Sequence, residues 1–261
     1  MLHRVIWSLV ICLMIVAARG GGDAVLTGLR TGNQVGPLTL AAVLIAVNWG
    51  TYVYAVNSNQ VIEASLGYYI NPLITVMLGV IVLRERLRPW QWAAVGIGAV
   101  AVAVLTAGYG RLPVIALTLA LCFGLYGLVK NRVGPHVGAV TGLTIETLTL
   151  APLAVVGLAW LEVSGRGSFS TDWPWQSLLL AGTGVITVAP LLLFAAAARR
   201  IPLTTIGLLQ YLTPTLQLLC GVVLFGEQMP VSRWIGFGLV WLALAVLTVD
   251  SLRSLPVTVA G

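Results

Sequence analysis

Charge is what this sequence has least of. Only 8% of its 261 residues are Asp, Glu, Lys or Arg, about a third of the share in an ordinary water-soluble domain. Histidine is nearly absent as well, with His3 and His136 alone, and no two acids stand at the spacing of a catalytic pair. Without a metal-ligand or nucleophile motif, a membrane-embedded enzyme is the weakest reading. The three cysteines, Cys12, Cys122 and Cys220, each sit inside an apolar run. That placement excludes a disulfide framework or zinc site and makes them packing residues. No metal and no cofactor is expected. The net charge of +6 would point to nucleic acid in a soluble protein, but the basic residues lie between apolar runs. There they orient the chain and meet anionic headgroups, so nucleic acid is not an expected partner.

What the chain has in excess is apolar surface: 59% hydrophobic residues and a mean hydropathy of +0.99. No soluble core hides that much. The runs are about 20 residues long, the length at which a helix rising ~1.5 Å per residue crosses a ~30 Å hydrocarbon layer. The sequence therefore predicts an all-α integral membrane protein in the bilayer. Nine spans are expected, over 4 to 18, 37 to 57, 61 to 83, 90 to 109, 112 to 129, 139 to 160, 176 to 198, 203 to 225 and 234 to 249. The first resembles a signal peptide in its basic start, but RGGGDA after it offers no small-x-small cleavage site.

Alternating the connections between two faces puts Arg19, Arg30, Arg84, Arg86, Arg88, Lys130, Arg132, Arg199, Arg200 and Arg253 on one side. The other side keeps Arg111, Arg166 and Arg233, with Arg4 at its edge. The positive-inside rule makes the first face, and the C-terminus, cytoplasmic. Trp90, Trp92, Trp160, Trp173, Trp175 and Trp234 fall near span ends, as an interfacial belt requires, whereas Trp7 and Trp49 lie deeper.

Sliding the sequence on itself by 142 residues brings Tyr69 onto Tyr211, Pro72 onto Pro214, Gly79 onto Gly221, Glu85 onto Glu227, Trp92 onto Trp234 and Gly96 onto Gly238. Residues 103 to 106, AVLT, fall on an identical AVLT at 245 to 248. Five spans separate equivalent helices, and because five is odd the halves face opposite ways across the membrane. The expected plan is two inverted-topology helical repeats, residues 1 to 110 with four spans and 111 to 261 with five, and a site near the midplane between them. The same shift sends the fifth span to positions before Met1, so a first helix is expected to be missing from the first repeat.

Polar residues inside the runs are the candidates for substrate or proton binding. Glu146 is expected near mid-bilayer, where a carboxylate faces a polar cavity, finds a partner or stays protonated. A substrate or proton site and a structural ion pair both fit. The repeat shift overlays Glu146 on Arg4, so a pair between them is one reading and a snorkelling Arg4 the other. Glu63, Tyr69, Asn71 and Pro72 in the third span match Thr205, Tyr211, Thr213 and Pro214 in the eighth, which also holds Gln210. Paired prolines at Pro72 and Pro214 predict helix interruptions, and interruptions at matching places in both halves mark transport sites. A purely structural kink is the alternative. Asn48 and Tyr52, with Tyr54 and Asn57 further round, give the second span a polar side for a cavity wall or interhelical hydrogen bonds.

HRVIWS at 3 to 8, NWGTYVYAVN at 48 to 57, EASLGYYINPL at 63 to 73, FGLYGLV at 123 to 129, IETLTLAP at 145 to 152 and LQYLTPTLQ at 209 to 217 resemble RarD-type members of the EamA family in the drug/metabolite transporter superfamily. The resemblance covers nearly the whole chain and implies a ten-helix inner-membrane protein of two inverted five-helix units. It also implies a permease for small metabolites or drugs by alternating access, with Arg4, Asn48, Glu63, Tyr69, Asn71, Pro72, Glu146, Tyr211 and Pro214 in family-like stretches. The RarD type is associated by name with chloramphenicol sensitivity. A channel or an accessory subunit in lipid export is the rival function, since both use polar midplane residues. The partners expected are lipid, a small-molecule substrate and, as an option through Glu146, protons. The orientation is directly testable. A reporter active only outside the cytoplasm and fused after Arg253 is expected to stay silent, and a signal there would reverse the charge-based topology.

Overall fold

The computed structural model describes residues 1–107, 112–165, 174–219 and 231–253, and every regular element among them is an α-helix. In hydrocarbon a helix is the one open-ended segment that satisfies all its own backbone groups. The elements are α1 (Leu2–Ala18), α2 (Gly22–Arg30), α3 (Gly32–Asn57), α4 (Val61–Val82), α5 (Pro89–Ala107), α6 (Val114–Val133), α7 (Ala139–Val163), α8 (Pro174–Ala198), α9 (Leu203–Leu209), α10 (Leu212–Leu219) and α11 (Val231–Arg253). Cys220, Glu227, Arg111, Arg166 and Trp173 fall outside the described residues.

A helix occupies each of the nine apolar runs, but the picture of nine similar spans needs correction. By length and composition five described helices can cross a membrane unaided, namely α3, α4, α6, α7 and α8. The 17-residue α1 passes that test only with α2, toward which the chain bends by 117°. The short α2 escapes sequence reading because nine residues flanked by glycines carry too little periodicity. The eighth run is not one helix either: it breaks at Gln210 and Tyr211. Pro214 explains the place, since a proline ring collides with the carbonyl four residues back, here that of Gln210. At Pro72, by contrast, α4 runs on unbroken, against the expected interruption. The ring there is fully buried, and Gly207 leaves room for the Pro72 carbonyl and Val76, so neighbouring packing holds the helix in line. Trp90, Trp92, Trp160, Trp175 and Trp234 all stand exposed.

The chain forms two compact units, each drawing on both ends of the sequence. One comprises Met1–Val53 and Leu125–Ile201. In it α1 packs on α7 and α8, and Val16, Val25, Leu38, Val137 and Ile145 form the core. Glycine makes the approach close: a Cβ on Gly184 would lie 2.7 Å from the Trp7 backbone, and one on Gly157 would lie 2.7 Å from Leu2. Without a hydrophobic drive between helices in lipid, such small-residue contacts supply the association.

The other unit comprises Tyr54–Gly124 and Pro202–Gly261. Here α4 packs on α9 and α5 on α11, around Tyr69, Val76, Val95, Ala101, Leu208, Tyr211 and Val240. Both ends of α4 are tied by carboxylates. Buried Glu63 accepts the Ile115 N–H at 2.7 Å, capping the start of α6. Past the other end, the backbone turns through Arg84 at φ 57° and sends Glu85 to α9, where its two oxygens accept the Leu203 and Thr204 N–H groups at 2.8 Å each. The first N–H groups of a helix have no partner of their own, and the N-cap Pro202 offers no side-chain bond, so Glu85 supplies both. Glu85→Ala is expected to lower stability by about 2–4 kcal/mol. Glu85→Gln, which keeps one acceptor, should lose roughly half of that. Thermal unfolding in detergent measures both.

Candidate functional site

The charged centre of the first unit is built on a helical hairpin. Tyr126 and Lys130 stand four residues apart on α6 and so share a face. Lys130 lies three residues before the end of α6 and Glu146 seven after the start of α7, a difference in height of about 6 Å that an extended lysine spans. The Lys130 ammonium donates to Glu146 Oε1 at 2.5 Å, and the Tyr126 hydroxyl donates to Oε2 at 3.2 Å. The ammonium also sits 5.7 Å from the Tyr126 ring centre, and Phe194 stacks on that ring at 5.9 Å. Tyr126 is 0%, Glu146 1% and Lys130 5% exposed, so the pair is dry and close to neutral as a whole. A buried pair is held by mutual attraction against a large desolvation cost, which makes it sensitive to anything that changes either charge. Cys12 of α1, fully buried, lies within hydrogen-bonding reach of Thr144 and Thr147 beside it.

Arg4 is not the partner of Glu146. Its guanidinium lies 5.0 Å from the centre of the Trp49 ring, a cation–π contact between α1 and α3. The expected pair fails for a geometric reason: an inverted repeat puts equivalent residues at equal depths from opposite faces, and these meet only at the midplane. Glu146, in the third turn of a 25-residue helix, lies short of the middle. On α3, Asn48 is half-buried beside Trp49 and Tyr52 is exposed.

The second unit holds an uncharged cluster at the helix break. Asn71 Nδ2 donates to Gln210 Oε1 at 3.0 Å, and the Thr75 hydroxyl lies 3.3 Å from the same oxygen and 3.4 Å from Asn71 Oδ1. Gln210 Nε2 and the Tyr211 hydroxyl are both buried without a hydrogen-bond partner. The Tyr211 ring lies so close to Gly98 that a Cβ there would run into the hydroxyl. Thr213 is exposed one turn on, Tyr69 is buried in the core, and Glu63 stands as the cap on α6. The structure thus joins Asn71 to Gln210 and leaves Arg4, Glu63 and Tyr69 in other settings. Sequence reading missed Tyr126, Lys130 and Thr75. The available signal was the four-residue spacing of Tyr126 and Lys130 ahead of a short turn, and the same spacing of Asn71 and Thr75.

The sequence profile of the EamA-like transporter family matches residues 1–107 and 112–249. The chain belongs to that family. Among its relatives are a Streptomyces exfoliatus protein called Protein RarD, 47% identical over 97% of this chain and 79% of the relative, and Protein RarD of Escherichia coli (strain K12), 39% identical over 96% and 84%. An uncharacterized transporter of Bacillus subtilis, YojE, is 40% identical over 96% and 84%. A solved crystal structure shares the fold at TM-score 0.69 over 97% of this chain and 88% of its own, with 20% identity. This EamA-family chain is therefore an all-helical, multi-pass membrane permease of the drug/metabolite-transporter type.

In the EamA-family chain the ion pair makes a sharp forecast. Glu146→Gln strands a buried ammonium, at a cost of about 3–5 kcal/mol, and folded yield should fall. Lys130→Gln in the same protein should restore much of it, whereas Arg4→Gln should not. Yield measured by size-exclusion profile in detergent decides, and rescue by Arg4→Gln instead would reassign the partner.

Proposed function

We propose that this EamA-family permease carries small organic molecules across the cell's inner membrane by alternating access, on two inverted repeats over residues 1–110 and 111–261, without covalent chemistry and without a cofactor. The packing within each unit supports the repeat. Helices that the 142-residue shift superposes lie against one another, α1 on α7, α4 on α9 and α5 on α11. A two-fold axis in the membrane plane produces that pairing wherever an element crosses it. The reading places the C-terminus in the cytoplasm, on the basic face of the chain.

The observation that carries the proposal is the broken helix with its unpaired donors. Buried polar groups are almost always hydrogen-bonded, and each unpaired one costs about 1–3 kcal/mol. Gln210 Nε2 and the Tyr211 hydroxyl stay unpaired at a break that also frees backbone groups, next to the Asn71–Thr75 pair. A cargo offering hydrogen-bond acceptors would satisfy them, and the break gives a hinge for moving between two arrangements. Glu146 is the proton option: protonating it would release Lys130, so proton binding and rearrangement of α6 against α7 would be linked.

An export and growth screen against metabolites and antibiotics identifies a cargo, and counterflow in proteoliposomes then tests the mechanism. Labelled cargo is expected to exchange across sealed vesicles, and Gln210→Ala and Asn71→Ala should each slow exchange at least about tenfold, the loss of one or two buried hydrogen bonds. Conductance without exchange would mean a channel, and covalent change of the cargo an enzyme. Full exchange in both variants would remove the cluster from the transport site.

A further inference from the structure

At the turn between α6 and α7, in the first unit, a cavity of about 10 Å³ leaves room for one water-sized sphere. Its wall is apolar or glycine, from Leu38, Val133, Val137 and Ala195 to Gly134, Gly138 and Gly142, except for two cations, Lys130 and Arg199. No carboxylate lines it. Lys130 is 95% buried by the complement of its 5% exposure, while Arg199 is exposed and opens the cavity toward the surface. Arg199 is held in place. Asn131 Nδ2 donates to the carbonyl of Ala198 at 2.8 Å and to that of Ile201 at 3.5 Å, bracketing it. Its side chain crosses the turn so closely that a Cβ on Gly134 would meet its aliphatic stem.

We propose that this cavity is a binding site for a small monatomic anion of chloride size, held between the Lys130 ammonium and the Arg199 guanidinium. Lys130 has three N–H donors, of which one goes to Glu146 and one direction faces the Tyr126 ring, so a third is left for the cavity. Counting Glu146 with the two cations still leaves one net positive charge around the site, and positive charge in a low-dielectric wall draws in an anion. Gly138 and Ala139, at the start of α7 where no side chain caps the helix, add backbone N–H donors to the same wall. Gly142 is what keeps the space open: a Cβ there would stand 3.4 Å from Lys130 Nζ and 3.5 Å from Leu38. An anion sharing Lys130 competes with Glu146 for it, so occupancy loosens the ion pair. The inference rests on the cavity alone and not on the identity of the cargo.

The full-length protein, purified in detergent, provides the test through its thermal unfolding midpoint. Sodium chloride is expected to raise the midpoint by about 2–4 °C over sodium gluconate at matched ionic strength, with a saturable dose response. Sodium sulfate, too large for the space, should match gluconate. Arg199→Gln should abolish the chloride shift by removing one cation. Gly142→Ala should abolish it too, and that variant guards against misfolding, since alanine favours the helix and meets its neighbours at ordinary contact distance. No chloride shift in the wild type would show a cavity for water alone and overturn the proposal. So would a sulfate shift as large as chloride's, or a chloride shift that survives in both variants. The readout needs no transport, so a failure of the transport proposal would leave it standing.

Discussion

Everything in this fold answers to one constraint: in hydrocarbon, a polar group must find its partner inside the protein. The described carboxylates within or beside the helices obey it in two ways. Glu63 and Glu85 turn to the N–H groups that begin α6 and α9, so each satisfies an acid and a helix start together. Glu146, with no helix start in reach, takes an ammonium and a phenol instead. Hydroxyls obey it locally. Thr144, Thr147 and Thr149 donate back to the carbonyls of Val140, Leu143 and Ile145, which lets α7 carry three threonines in its apolar span.

Where the constraint is not met, the exceptions cluster. Among the described residues, Gln210 Nε2 and the Tyr211 hydroxyl lack hydrogen-bond partners at the one place where a long apolar run is cut in two. Ser8 of α1 is a third case, with a fully buried hydroxyl and no partner. It sits between Arg4 and Cys12 at four-residue steps, on the face of α1 that runs from the cation–π contact to the threonines beside Glu146. Unmet polar groups are costly, and a sequence keeps them where a change of state or a visiting molecule can satisfy them.

Much of this was legible in the sequence because hydrocarbon thickness writes itself into run length. The helix positions, the apolar class and the polar residues Glu146, Asn71 and Gln210 could all be read from one chain. What could not be read was pairing across helices. Lys130 looks like one more charge of a basic surface until the turn at residues 134 to 138 folds it back on Glu146. Arg4 looks like a partner because the repeat shift aligns it, yet alignment in an inverted repeat conveys mirrored depth and not contact. The two prolines show the same limit. Pro72 and Pro214 are identical in sequence context, but only the second breaks its helix, because packing around each, with Gly207 against Pro72, decides the outcome.

In the proposed two-fold arrangement, likeness and difference between the halves fall on different residues. Positions that pack are alike: Tyr69 and Tyr211 lie in the same core, Tyr211 against Gly98 of α5, while the residue the shift lays on Gly98 is Val240 of α11, in that core too. Positions that form the polar network are not. Asn71 meets Gln210, and the shift would make the matching pair Thr213 and Tyr68, which cannot reproduce an amide-to-amide bridge. Likewise Glu146 has Arg4 as its counterpart, with a different partner and a different exposure. A repeated scaffold would therefore enclose polar groups that occur once each. Such asymmetry is what a carrier requires, since two identical half-sites would give a cargo two equivalent poses and no reason to prefer one orientation over the other.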